Sequence, residues 1–286
     1  MGLAKLFQKI RKANRVRLAR RRVIKDCLAK EFVLERAGSS PFQVRLGKAA
    51  SRAFHFRADS EGDRGVVQQM FICRDYDLGL WEQGRRLLSL ASKLASAGIE
   101  ALIIDAGANI GGAAVFFQQI IPNSKLICIE PDPANCRLCL KNIEGFNALL
   151  LEKAISSVSG EVLLYDPGQG DWGFRTGAPA DEREGLIIQS INIEKILELY
   201  AGGAEYLIVK IDIEGAESDL FLTNCEWMDI FPCVIIELHD WMLPGEGTSL
   251  NFFKQIASRK FDYIQRGENI FLFNMALIEE KIHAHL

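Results

Sequence analysis

An α/β fold built on a mainly parallel sheet is what this sequence predicts, and three observations carry it. From Trp81 onward, short apolar runs alternate with helix-length segments, the pattern of parallel strands joined by right-handed crossovers. The run Ala101-Leu-Ile-Ile-Asp105 passes directly into the turn Ala106-Gly107-Ala108-Asn109-Ile110-Gly111-Gly112, where glycines allow close approach of backbone and ligand. The last two apolar runs, 261–265 and 270–273, are separated only by Arg266-Gly267-Glu268-Asn269, a hairpin spacing that requires antiparallel pairing.

Taken in order, the regular part reads as a helix near 81–96, a strand at 101–105, a helix at 111–120, a strand at 125–130, a helix at 133–144 and a strand at 149–154. Apolar strands follow at 161–165, 206–211, 233–238, 261–265 and 270–273, with helices near 191–200, 215–222 and 249–259. An open, mainly parallel, seven-stranded sheet with a C-terminal antiparallel hairpin is the Rossmann-like architecture of class I methyltransferases; dinucleotide dehydrogenases usually end differently. Two domains are expected, a basic arm with an accessory segment over 1–80 and the sheet domain over 81–286. Residues 39–80 mix short apolar pieces with a hairpin-like rhythm broken by Gly62 and Gly65.

Charge is distributed unevenly. Residues 1–25 carry ten Lys or Arg and no acid, leaving 24 basic against 37 acidic residues in the rest. Leu3, Leu6, Phe7 and Ile10 share one helical face within this arm, which suits an anionic membrane surface or an acidic partner. Packing on the main domain is the plainer alternative. No run of about 18 apolar residues is present and the basic start lacks a secretory core, so a cytoplasmic protein, peripheral at most, is expected. Of seven cysteines, Cys136 and Cys139 stand one helical turn apart, with no second pair to complete a zinc site.

The turn discriminates between nucleoside cofactors. In a dinucleotide fingerprint the middle glycine lets the backbone touch the pyrophosphate, but here that position is Asn109, and Asp105 opens the turn where a diphosphate would be repelled. A cationic sulfonium with an amino-acid tail matches this polarity better. Gly107 and Gly111 are expected beside its methionyl part, with Asp105 and Asn109 as polar contacts. Glu130 lies 25 positions after Asp105 and is followed by Pro131-Asp132-Pro133, which ends the strand and leaves the carboxylate at its tip to accept from ribose hydroxyls. Ala154, past the third strand, is placed to lie against the adenine.

The ordered set Asp105-Ala-Gly-Ala-Asn-Ile-Gly111, Glu130-Pro-Asp-Pro133 with Asn142 downstream, and Lys210-Ile-Asp-Ile-Glu-Gly-Ala-Glu217 resembles the FkbM-type S-adenosylmethionine-dependent methyltransferases over roughly 101–274. The resemblance implies S-adenosyl-L-methionine as cofactor and methyl transfer to a hydroxyl oxygen of a sugar or natural product. With it, Asp105, Gly107, Ala108, Asn109, Gly111, Glu130, Asp132, Ala154 and Asp212 form the expected cofactor set.

The acidic tips supply the chemistry. Asp212 ends the strand 206–211, Glu214 follows, and the next strand ends in Glu237, Leu238, His239 and Asp240. If these strands are neighbours, about 4.8 Å apart, Asp212, Glu214, Glu237 and His239 converge. Close acids raise one another's pKa and favour a shared proton, a metal or a basic neighbour such as Lys210. A hydroxyl acceptor needs its proton removed, and His239 is the expected base, with Asp212 second, because histidine titrates near neutrality. Glu217 reads as a first-turn carboxylate favoured by the helix dipole. Asp212, Glu214 and Glu237 offer oxygen ligands to a hard cation, but their spacing does not demand one, and no metal is assigned.

The Gly- and Pro-rich stretch 166–185 has the length of a lid. Trp172, Phe174 and Arg175 suit stacking on an acceptor there, with Trp241 and Met242 as the facing wall and Glu214 as a polar acceptor contact; plain surface loops are the alternative. Small-molecule or glycan O-methylation is therefore the leading expectation. RNA methylation, with the arm as tether, meets an acidic body that offers no basic track, so nucleic acid is not expected as a partner. A non-catalytic scaffold recruited by its arm would keep the glycine turn yet bind no cofactor.

Overall fold

The computed structural model describes residues 53–57, 60–165 and 184–285, together with the backbone of strands at 33–35, 42–45 and 175–177. The basic arm over 1–25, Trp172 and Phe174 lie outside the described residues, and of Arg175 only the backbone is described. The chain divides into two compact units between Arg74 and Asp75.

The first unit holds an antiparallel sheet of β1 (Val33–Glu35), β2 (Phe42–Arg45) and β3 (Ala53–Phe56). Residues 61–73 are helical, where a glycine-broken hairpin rhythm was expected: α1 (Glu61–Val67) continues as a wider π turn over Gln68–Cys73. The reason is the cap. Ser60 Oγ accepts from Asp63 N–H at 3.1 Å, satisfying a first-turn donor, and the buried Asp63 carboxylate takes Arg57 Nη2 at 2.7 Å. The cap and ion pair offset the helix cost of Gly62 and Gly65.

The second unit contains the seven-stranded sheet. Its strands are β4 (Ala101–Ala106), β5 (Ser124–Ile129), β6 (Ala148–Leu151), β11 (Glu205–Ile211), β12 (Cys233–Glu237), β13 (Asp262–Arg266) and β14 (Asn269–Phe273), in spatial order β13-β14-β12-β11-β4-β5-β6. All neighbours pair in parallel except β14, which is antiparallel to both β12 and β13. This is the class I methyltransferase sheet. β4 and β12 are buried along their whole length, as strands covered on both faces must be, and each fully buried Ile or Leu in them stabilises the fold by about 1.5–3 kcal/mol.

Helices α2 (Glu82–Ser96), α3 (Gly112–Ile120), α4 (Pro133–Ile143), α5 (Ile193–Tyr200), α6 (Glu217–Leu220) and α7 (Leu250–Ala257) fall where the sequence places them, and the C-terminal α8 (Met275–Ala284) is an addition. A second sheet was not foreseen. It consists of β7 (Ala154–Ile155), β8 (Gly160–Tyr165), β9 (Arg175–Gly177) and β10 (Leu186–Ile191), in the order β7-β10-β8-β9. The expected strand over 149–154 is therefore cut at Glu152-Lys153 and shared between two sheets, and the expected lid contains strand β9, which pairs Tyr165 with Arg175.

Candidate cofactor cleft and acidic cluster

The parallel strands bring their carboxyl ends to one edge of the sheet, the place where ligands bind in open α/β folds. There an open cleft is lined by Gly107 and Asn109 after β4, by Glu130, Pro131 and Asn135 after β5, by Ala154 and Ile155 of β7, by Thr176 of β9, and by Asp212, Ile213, Glu214 and Ala216 after β11.

Asn109 and the glycines shape its floor. Gly107 has φ +77°, and a side chain there would place its Cβ 1.7 Å from the Asp212 carbonyl oxygen. Its bareness thus serves chain-to-chain approach, pressing the β4 turn against the end of β11. Gly111 has φ +83° and faces Cys139 Sγ of α4 at 3.1 Å from the same virtual atom. Asn109 is itself left-handed at φ 50°, a conformation asparagine tolerates better than most residues. Asn142 Nδ2 donates to Ile110 O at 2.7 Å and ties α4 to the turn.

Glu130 braces that turn while facing the cleft. Its carboxylate accepts from Asn109 N–H (2.8 Å), Asp132 N–H (3.0 Å) and Asn135 Nδ2 (3.4 Å). Burial pushes its pKa up to about 7, with those three donors pulling the other way. A carboxylate has roughly four lone-pair positions, so one remains for a ligand hydroxyl. Asp132 is not a lining residue: it is the N-cap of α4, accepting from Asn135 N–H at 2.9 Å. Ala108, buried, and Gly111 also lie behind the lining surface.

Asp105 departs furthest from its expected role. Lys210 of β11 and Asp105 of β4 are register partners, and their side chains form a buried ion pair, Nζ to Oδ1 at 3.0 Å. Lys210 Nζ also donates to Gly107 O at 2.7 Å and lies 3.6 Å from Asp212 Oδ2. Burial lowers the Lys210 ammonium, but Asp105, the nearby Tyr76 and Asp212 outweigh it and hold it well above the usual lysine range. The Asp105 carboxyl is itself raised by burial, against Lys210. Both residues therefore stand beneath the turn as a charged strut, and Lys210 is neither a base nor a cleft contact. Tyr76 hydroxyl chemistry belongs to the same buried neighbourhood, a residue for which the sequence offered no signal.

β11 and β12 are neighbours, with Ile211 opposite Ile236, and this register closes the acidic cluster. His239, 1% exposed, lies with Nε2 3.5 Å from Asp212 Oδ1, 3.6 Å from Glu214 Oε2 and 3.6 Å from Glu237 Oε1, while Nδ1 meets Glu217 Oε1 at 2.7 Å. Glu214 takes φ 55° and Gly215 φ 100°, folding the segment 212–217 around the ring. Glu217, read from sequence as a helix-dipole carboxylate, is fully buried and bonded to His239 and to Gly215 N–H (3.1 Å).

This surrounding sets protonation. Burial lowers the imidazolium, but its hydrogen bond to the Glu217 carboxylate and the charges of Asp212, Glu217 and Glu214 prevail and push His239 up to about 9. Burial, then Asp212, raise Glu214 to about 8 and Glu237 to about 9. At neutral pH His239 is accordingly a cation with both ring nitrogens protonated, not the free base expected from its ordinary pKa. One donor atom each of Asp212, Glu214 and His239 fits within a 4.8 Å span, and a cation entering there would have to displace the Nε2 proton. Trp241 stands 58% exposed two residues beyond His239, outside the cleft lining.

The FkbM methyltransferase domain model matches residues 105–264, from the strut aspartate to the hairpin. This chain belongs to the FkbM methyltransferase family. Its curated relative, the 2-O-methyltransferase NoeI of Sinorhizobium fredii, is 34% identical over 152 residues, 48% of this chain and 60% of NoeI, so the chain spans less than two thirds of that relative's length. Among solved structures it is similar to the O-methyltransferase TomG of Streptomyces achromogenes in complex with SAM, at TM-score 0.40 and 13% identity over 75% of this chain and 90% of TomG. It is also similar to a precorrin-6y methyltransferase of Geobacter metallireducens, at TM-score 0.32 and 11% identity over 65% of this chain and 84% of the other. The six cysteines among the described residues, from Cys73 to Cys233, are free thiols, and no described helix is long and apolar enough to cross a membrane.

Proposed function

We propose that this FkbM-family chain binds S-adenosylmethionine in the cleft and transfers its methyl group to a hydroxyl oxygen of a small-molecule or glycan acceptor. The observation that carries the reading is the charge of the lining: Glu130, Asp212 and Glu214 are acidic, and the described lining residues include no Lys or Arg. Such a wall repels phosphates and attracts the sulfonium and ammonium groups of S-adenosylmethionine. Two acceptor atoms are left open in it, since Asn109 Oδ1 and Glu214 Oε2 are buried without a hydrogen-bond partner among the described residues. Glu130 would take the ribose hydroxyls and Ala154 would lie along the adenine.

When bound, S-adenosylmethionine supplies an electrophilic methyl group on a cationic sulfur. The chain's part is to position the acceptor and receive its proton, and positioning is the larger effect, up to about 7–11 kcal/mol. Burial and the nearby Asp212 raise Glu214 and Glu237, and the carboxylates around His239 hold its ring toward the protonated form, which is not a base. The base in this reading is Asp212, a lining residue with a side chain 28% exposed. Its carboxylate takes the hydroxyl proton as the new oxygen–carbon bond forms and returns it to solvent through the open side of the cleft. The basic arm is proposed as a peripheral tether to anionic membrane or an acidic partner.

Calorimetric titration with S-adenosylhomocysteine, beside NAD, tests the cofactor assignment: micromolar binding of the first and none of the second is expected. Absence of binding by S-adenosylhomocysteine overturns it.

A further inference from the structure

Glu217 has no part in the chemistry just described, yet it is the most deeply buried carboxyl of the cluster. It is fully buried, its Oε1 accepts from His239 Nδ1 at 2.7 Å and from Gly215 N–H at 3.1 Å, and its Oε2 has no partner among the described residues. A buried carboxylate with an unpartnered oxygen is costly unless a full positive charge stands beside it. The other charged side chains that the described residues bring within 4 Å of the ring nitrogens are all acidic: Asp212 and Glu214 from the segment after β11, and Glu237 from the end of β12, which is itself bonded to Glu268 of the β13–β14 turn. Lys210 stands 3.6 Å from Asp212 Oδ2, and its charge also reaches Glu214.

We propose that Glu217 is a positioning residue for the cleft: its carboxylate locks the His239 ring so that the charge at Nε2, 3.5–3.6 Å from Asp212 and Glu214, holds these two at the cleft wall. The role rests on the cofactor reading above for its purpose, but not for its geometry. Three facts make the arrangement specific. The Nδ1 contact is short while the three Nε2 contacts are 3.5–3.6 Å, so one carboxylate fixes the ring and the other three share its far edge. Glu214 and Gly215 take left-handed backbone conformations that turn Glu217 back under the ring. His239 is sealed from solvent, so water cannot replace Glu217 as the Nδ1 partner. Without the Glu217 charge, burial favours the neutral ring, and the grip on Asp212 and Glu214 is lost.

The test is a ring-nitrogen NMR titration of the full chain, with His239→Asn used to assign the signal among the four histidines. Wild type is expected to show both His239 nitrogens protonated at pH 7, and Glu217→Gln to titrate at least about one pH unit lower, while Glu217→Asp, which keeps the charge, restores part of the shift. A neutral His239 ring in the wild type overturns the proposal whatever the variants do, and so does an unchanged titration in Glu217→Gln. If Glu217→Gln fails to fold, an unchanged His239 titration in folded Glu217→Asp together with unchanged cofactor affinity overturns it, and a lowered one supports it. S-adenosylhomocysteine is titrated into the same samples. Failure of the wild type to bind it counts against the cofactor reading alone, because the ring titration is read without ligand.

Discussion

Two glycines with nearly the same backbone make a controlled experiment on the cleft floor. Gly98 (φ +72°) ends α2 with open space where a side chain would sit, whereas Gly107 (φ +77°) would place a Cβ 1.7 Å from the Asp212 carbonyl oxygen and 2.8 Å from its carbon, against an ordinary contact of at least 3.4 Å. Gly98→Ala therefore costs only the left-handed backbone penalty, about 1–2 kcal/mol. Gly107→Ala costs that and a retreat of the Asp212 backbone, which strains the Asp212 N–H bond to Ala106 O (3.0 Å) and the Lys210 bond to Gly107 O (2.7 Å). A hydrogen bond to a charged group is worth about 1.5–3 kcal/mol, so the total is about 3–5 kcal/mol. At about 2–4 °C per kcal/mol for a unit of this size, thermal unfolding should fall by roughly 5 °C for Gly98→Ala and about 10 °C or more for Gly107→Ala. Calorimetric scans of both variants, with S-adenosylhomocysteine titrations, read the difference. The affinity should be kept in the first and lost in the second. Equal destabilisation, or unimpaired binding by Gly107→Ala, would refute the argument that this glycine exists to seat the end of β11 against the turn.

Glu130→Gln should weaken S-adenosylhomocysteine binding by about 10–100-fold, the worth of a charged hydrogen bond. In the wild type that affinity should rise as pH passes through about 7 and Glu130 ionises, a rise that isothermal titration should find absent in the variant. Stability should fall as pH climbs from about 4.5 to about 9: Glu214 (4.5 to about 8), Glu237 (4.5 to about 9) and, from about 6.5, His239 (to about 9) all bind their protons more tightly folded than unfolded, so over this window the native state holds the excess protons and loses that advantage as pH rises. A thermal midpoint that rises over this window would contradict the assignment. Trp241→Ala should leave stability within about 0.5 kcal/mol, as for an exposed side chain, and raise the acceptor KM with cofactor affinity unchanged; an unchanged KM would remove Trp241 from the acceptor wall.

What the sequence determined by itself is the sheet, its closing hairpin and the identity of the groups at its carboxyl edge. Strands such as 101–106 and 233–237 are legible because a strand buried on both faces must be continuously apolar, and the four-residue spacing before the last strand admits only antiparallel pairing. Glu130 was legible because proline stops its strand at that point. The second sheet was not: β7 and β9 have two and three residues, too few for any period to declare itself, and β10, six residues long, is mostly exposed at its start and shows no clean alternation of buried and exposed positions. Helix 61–67 was hidden because Gly62 and Gly65 read as turn residues in sequence, whereas the Ser60 cap and the Arg57–Asp63 ion pair that offset them are contacts of the folded chain. The roles within the site were decided only by tertiary structure. Asp105 and Lys210 are 105 positions apart and become partners through strand register; Glu217 and His239 are 22 apart and meet because a left-handed turn folds one beneath the other. Residue type fixes which charges a chain carries, but a pKa depends on burial and on charges within a few ångströms, and those distances exist only once β11 lies between β4 and β12.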